Sequence, residues 1–244
     1  RLLDKWKELK EPFTLVTAHV LRRDCLTAPI PAADYAKHSV KLDLIPNLGI
    51  VSTGNVGSAL LFGSRTPESM RDIALPSDSS TSKALLRWAL IRRGLDPKCI
   101  EMGPDIDAML SICDGALLIG DRALAAAAEN PELVKLDLGA EWTKQTGLPM
   151  VFGVFAVRKD APIDKVRQAH SDMLEQYNKF LGDQTWKLEV IRFSADKMGF
   201  TENRVSDYFD NEVRNSLDGD AVMGLELFLS DVCGMEREPS WVEV

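Results

Sequence analysis

Short apolar runs that pass straight into helical patterns constrain this chain more than any other feature. "DGALLIGDRALAAAAE", residues 114–129, is a continuous apolar strand, a turn and then an alanine-rich helix. "IALPSDSSTSKALLRWAL", Ile73 to Leu90, repeats that order. Ile73–Leu75 reads as a strand, and a helix starts near Thr81. Along it Ala84, Leu85, Trp88, Ile91 and Leu95 recur at helical spacing, and Gly94 is a stop signal. "MVFGVFAVRK" is unbroken enough to be a central strand. Strands alternating with helices predict α/β layers with mostly parallel sheets.

The other segments fill in this plan. Residues 1–10 carry a short helical pattern, and the β-branched "FTLVTA" reads as a strand. "CLTAPIPAADYAKHS" begins as a strand and turns at Pro29 and Pro31; further short strands follow, broken by Gly49, Gly54 and Gly57. From Pro162 the pattern is wholly helical. Val166, Ala169, Met173, Tyr177 and Phe180 form one apolar stripe, and "TENRVSDYFDNEV" and "GDAVMGLELFLSDV" make two more helices.

Composition narrows the function classes. The chain has 244 residues and a net charge of −8, with no Lys/Arg block to track phosphates, so nucleic acid is not an expected partner. Its apolar runs are far short of a membrane span, and no signal peptide pattern opens it. Cys25, Cys99, Cys113 and Cys233 form no CxxC pair, so neither a metal site nor a disulfide framework is expected, and the usage suits a reducing cytoplasm. Cys113 and Cys233 read as buried small hydrophobes. His19, His38 and His170 are scattered, and His170 reads as a surface or boundary residue on a helix. No P-loop, GxSxG elbow or HExxH occurs, and "GNVGSALLFG" lacks the context of a dinucleotide fingerprint.

The candidate site lies at the ends of the strands. Ser77, Asp78, Ser79, Ser80, Thr81 and Ser82 supply more hydroxyls than one helix cap uses. They are either an exposed polar loop or a wall that donates to a carboxylate or phosphate. "STGNVGSALLF" brings Gly57 and Ser58, as a ligand-facing loop or as a tight turn. Asp121 follows an apolar strand, as a ligand-facing group or as the N-cap of the next helix. Thr146 and Gly147 mark a strand entry, and Asp34 and Tyr35 an exposed helix start. Small polar residues at strand ends, drawn from distant parts of the chain, are what a cleft between two lobes requires.

In order, "LIPNLGIVSTGNVGSALLF", "IALPSDSSTSKALL", "DGALLIGDRAL", "DLGAEWTKQTGLPMVFGVFAVR" and "GDAVMGLELFLSDV" resemble the successive signatures of the chorismate dehydratase family of the futalosine route to menaquinone. The resemblance runs from Asp24 to Val232. A sister enzyme of the pathway shares a related Asp-Leu-Gly…Thr-Gly-Leu-Pro run but normally has a histidine where this chain reads "IGDRA". The Tyr-Leu-Asn-like motif with which the family usually opens has no match in these residues. The resemblance implies a type II periplasmic-binding-protein-like fold: two α/β lobes, residues 1–64 with 148–244 and residues 65–147, and a helical C-terminal third. The chain is then expected to cross between lobes near Gly63–Thr66 and Thr146–Pro149.

The implied reaction eliminates water from chorismate to give 3-[(1-carboxyvinyl)oxy]benzoate, with no metal or organic cofactor. Ser80, Thr81 and Ser82 would hold one carboxylate of this dicarboxylate substrate. Gly57 and Ser58 would line the cleft opposite, and Asp121 and Thr146 its floor. The base is Asp121 or a carboxylate of the substrate itself. The competing readings are a non-catalytic binding protein of the same fold, holding a small carboxylate, and the sister enzyme of the pathway.

Overall fold

The computed structural model describes residues 6–8 and 13–243. The helix expected over residues 1–10 falls mostly outside them; Trp6–Glu8 are not helical. In chain order the elements are α1 (Phe13–Arg22), β1 (Thr27–Pro31), α2 (Ala32–His38), β2 (Leu42–Ser52), β3 (Ala59–Gly63), β4 (Asp72–Pro76), α3 (Ser80–Arg92), β5 (Lys98–Met102) and α4 (Ile106–Ile112). Next come β6 (Gly115–Ile119), α5 (Gly120–Glu129), β7 (Val134–Asp137), α6 (Leu138–Thr146), β8 (Met150–Arg158), α7 (Ile163–Gly182) and α8 (Gln184–Met198). The chain ends with α9 (Glu202–Asp207), β9 (Arg214–Leu217) and α10 (Gly219–Leu227). A π-helical turn extends α9 over Tyr208–Glu212, and another extends α10 over Phe228–Val232.

The strands form two sheets, in the orders β1-β8-β2-β9 and β5-β4-β6-β3-β7. As expected, β8 is a central strand. The expectation of mostly parallel sheets is not met. Among the described strands only the β4–β5 and β4–β6 pairings are parallel. The first sheet is antiparallel throughout, as are the pairings of β3. The reason is directional. β2 leads the chain out of the first sheet and β8 brings it back, so the two must run in opposite senses; their ends meet where Ser52 pairs with Met150. Because β3 already belongs to the second sheet, the outward passage lies between Ser52 and Ala59, upstream of the crossing expected at Gly63–Thr66.

Two other elements differ from expectation. "FTLVTA" lies in α1, where Thr17 and Val20 are buried, and Thr17 donates a 2.9 Å hydrogen bond to Asp34. The C-terminal third is not purely helical, because β9 adds an edge strand to the first sheet beside β2.

One apolar cluster reaches both sheets. It joins Leu61, Ile73 and Leu75 of the second sheet to Leu44, Val151 and Val154 of the first through Leu85, Leu86 and Leu90 of α3 and Trp142 of α6. Trp142 packs against Trp88 with the rings tilted by 44° and their centroids 4.9 Å apart, and it donates its indole N–H to the Pro149 carbonyl. The buried face of α3 is Leu85, Leu86, Ala89 and Leu90; Ile91, expected on it, is exposed. Glu141 of α6 takes a two-pronged bond from Arg93 at 2.8 and 2.7 Å, which locks α6 to the end of α3. His170 is buried rather than superficial and bonds the Pro46 carbonyl, and burial pushes its pKa down. Cys113 is buried as expected, while Cys233 is half-buried with its thiol pushed up to about 11 by desolvation.

Candidate functional site

A cleft of about 560 Å³ gathers residues from the ends of β1, β2, β4, β6 and β8. Pro31, Ile50 and Phe152 at the ends of β1, β2 and β8 give it an apolar wall. Val56 and Ser58 come from the loop between the sheets. Asp78, Ser79, Thr81 and Ser82 come from the start of α3, and Gly120, Asp121 and Arg122 from the start of α5. Of the residues singled out in the sequence, Ser58, Thr81, Ser82 and Asp121 therefore share one cavity.

The hydroxyls at α3 divide their work. Ser79 is the N-cap; its Oγ accepts the Ser82 N–H at 3.2 Å, a bond that contributes about 1 kcal/mol. Thr81 Oγ1 accepts the buried N–H of Ala33 at 3.2 Å and so ties α3 to α2. Ser80 does not reach the cleft. Its buried Oγ has no hydrogen-bond partner, and the residue lines a separate hollow of about 950 Å³ with Lys37, Lys83 and Arg87. That hollow is the larger of the two, but its polar groups near strand ends are only Ser80 and Glu101, so the smaller cleft is the candidate site.

At α5 the cap position is Ile119, whose side chain cannot accept a hydrogen bond. Asp121 makes no capping bond either; it stands two residues past the cap, inside the helix rather than before it. Two helix N-termini, one of them uncapped by any side chain, thus open on one cleft, and both place positive dipole ends there. Side-chain charge works the other way, because Asp78 and Asp121 outnumber Arg122 in the lining. Arg122 is ion-paired with Asp78 Oδ2, while Asp78 Oδ1 is buried with no partner.

The loop before β3 is held by α6. Asp137, the N-cap of α6, accepts the N–H groups of Val56 and Gly57 at 3.0 and 2.8 Å as well as that of Ala140 at 3.0 Å. Gly54 N–H donates to Thr143 Oγ1. A Cβ on Gly139 would stand 2.6 Å from the Gly54 carbonyl oxygen, so only glycine lets the loop lie this close. Two signature segments of the sequence, 52–62 and 137–149, are therefore parts of one support.

Tyr208 completes this side. Its phenol is 3.0 Å from Ser58 Oγ, and burial, partly offset by that bond, holds its pKa above the usual range. Behind it Arg204 sits over the ring and pairs with Glu212, whose carboxylate abuts Gly57.

Several expected positions are elsewhere. Thr146 is not in the cleft: its Oγ1 donates to the Trp142 carbonyl and accepts the Leu148 N–H, which closes the end of α6. Gly57 stands beside the cleft through its backbone. Asp34 and Tyr35 serve the core; the Tyr35 hydroxyl accepts the Ser240 N–H at 2.8 Å. Arg122, Tyr208 and Phe152 were not identifiable from sequence. Arg122 directly follows Asp121 and has no motif of its own, and Tyr208 reaches Ser58 across 150 residues.

Comparison with known proteins gives the family and the fold. A curated chorismate dehydratase from Thermus thermophilus is 35% identical over 146 residues, 54% of this chain and 54% of the relative. The chain thus spans about half the length of the curated relative it matches. Among solved structures, one protein of Archaeoglobus fulgidus superposes with a TM-score of 0.69 at 18% identity, covering 93% of this chain and 86% of that one. The periplasmic aliphatic sulphonate binding protein of Escherichia coli gives 0.59 at 14% identity, covering 100% and 87%. These likenesses show the fold, that of the periplasmic binding proteins. A family model described as menaquinone biosynthesis matches residues 5–232, and the chain belongs to that family.

Proposed function

We propose that this protein is a chorismate dehydratase, a hydro-lyase that removes water from chorismate to give 3-[(1-carboxyvinyl)oxy]benzoate. The carrying observation is the cleft itself, where two helix N-termini, Thr81, Ser82, Ser58 and Asp121 meet. A dicarboxylate offers each helix terminus one anionic group. In this reading Thr81 and Ser82 hold one carboxylate with the α3 N-terminus, and Ser58 with the backbone at Gly57 bounds the cleft opposite. The lobes are the two sheets with their helices, joined at residues 52–59 and near 146–149. The C–H to be broken is activated by the diene, and aromatisation drives the reaction. Orientation and one placed base therefore do most of the catalytic work.

Asp121 is the protein's candidate base, since it lines the cleft without a capping duty. Asp121→Asn then abolishes turnover. Retained turnover assigns the base to the substrate's own carboxylate. The cytoplasm, which keeps thiols such as Cys25 and Cys99 reduced, is the compartment this reading fits. The test of the whole is incubation with chorismate and detection of the benzoate product. No product above the uncatalysed rate overturns the enzyme reading, and chorismate bound but unconverted leaves a binding protein.

A further inference from the structure

We infer that Asp78 and Arg122 are the residues that recognise the ring hydroxyl of the substrate, the group that leaves as water. The inference rests on the proposed dehydratase reading and adds to it a specific pair. Asp78 lines the cleft with one carboxylate oxygen ion-paired to Arg122 and the other, Oδ1, buried without a partner. An ionised carboxylate oxygen can only accept a hydrogen bond, and leaving one buried and unmet is costly. Oδ1 faces no open space, so a donor meets it only when the Asp78 side chain turns beside its ion pair with Arg122, and a ligand in the cleft that carries the donor favours that turn.

Chorismate at neutral pH has two carboxylates, which only accept, and one hydroxyl, which is its sole O–H donor. The hydroxyl is thus the only group of this substrate that satisfies Asp78 Oδ1. The pairing also excludes the alternative of a substrate carboxylate at this position, since two like charges in contact repel. Arg122, already beside Asp78, then donates to the oxygen of the same hydroxyl. This is the side from which a departing oxygen needs hydrogen bonds. As the ring C–H loses its proton to the base, the C–O bond breaks with its electron pair. The oxygen leaves toward Arg122, and the proton taken from carbon with the departing hydroxide makes one water. Arg122 contributes hydrogen bonds and charge, not a proton.

The product provides the control, because it keeps both carboxylates and lacks the hydroxyl. Affinities of chorismate and of the product are measured by calorimetry on the full chain with Asp78 intact, Asp78→Ala and Asp78→Asn, each also carrying Asp121→Asn so that chorismate is not consumed during the titration. Removing the Asp78 charge favours any dianion, so the readout is the ratio of the two dissociation constants rather than either alone. Asp78→Ala is expected to raise the chorismate-to-product ratio about tenfold. Asp78→Asn, which keeps an acceptor oxygen, is expected to raise it less. An unchanged ratio in folded Asp78→Ala overturns the assignment. Wild-type protein that neither binds nor converts chorismate overturns the dehydratase reading instead. Wild-type turnover with an unchanged mutant ratio removes only the role of Asp78.

Discussion

The Asp137 carboxylate receives the backbone N–H of Gly57 at 2.8 Å while the same side chain caps α6 through Ala140. One residue therefore fixes both the loop that borders the cleft and the helix that supports it. Asp137→Ala strips a cap and leaves the amides of Val56 and Gly57 without their acceptor. We expect a loss of about 3 kcal/mol in urea titration. The KM for chorismate is expected to rise, because Ser58 follows directly on the freed loop.

Gly139→Ala separates helix propensity from packing. In an ordinary helix this change favours the helix by about 1 kcal/mol. Here the added methyl meets the Gly54 carbonyl, a backbone atom with no rotamer to yield. The expected outcome is a net destabilisation of about 2 kcal/mol, read as a lower urea midpoint with an unchanged slope.

Glu141 gives a pH-dependent prediction. The Arg93 hydrogen bonds hold its pKa below the ordinary value of 4.5, and the residue is 5% exposed. The native state binds its proton less readily than the unfolded chain does. The stabilisation is therefore complete above pH 4.5 and is lost as pH falls through the lower native value. Glu141→Gln is expected to cost about 3 kcal/mol at pH 7. The gap from wild type is expected to narrow in denaturation curves taken below pH 4.5.

Tyr208→Phe tests the contact with Ser58. The ring and the Arg204 contact persist, and only the hydroxyl is lost. We expect kcat/KM for chorismate to fall about tenfold, the equivalent of one good hydrogen bond. Because burial holds the phenol above its usual pKa of 10, the wild-type pH–rate profile should have no alkaline limb from Tyr208 below pH 10.

Much of this architecture is legible in the sequence, and the failures have physical causes. Strand-to-helix junctions such as Leu118–Asp121 and Pro76–Thr81 show because the periodicity changes there abruptly. The 13–22 segment misleads because Thr14, Val16, Thr17 and Val20 are β-branched and favour strands. Burial of the Thr17–Val20 face decides for a helix, which propensity cannot report. Thr146 misleads in the opposite way: a hydroxyl beside a glycine marks a helix end as well as a ligand site, and here both its hydrogen bonds stay local. Asp78 is visible in the sequence as a member of the polar stretch. Its partner Arg122 is not, because nothing in the sequence tells which of two helix starts faces the other.

The position of β8 between β1 and β2 has a consequence during synthesis. Leu44 pairs with Ala156 and Thr27 with Val157, so the two early strands are joined in the sheet by a strand made about 100 residues later. While the ribosome is still building the second sheet, β1 and β2 wait with open edges. The first half of the chain is therefore the part most in need of shielding as it emerges. A nascent chain halted before Met150 should be the species that chaperones hold and proteases cut.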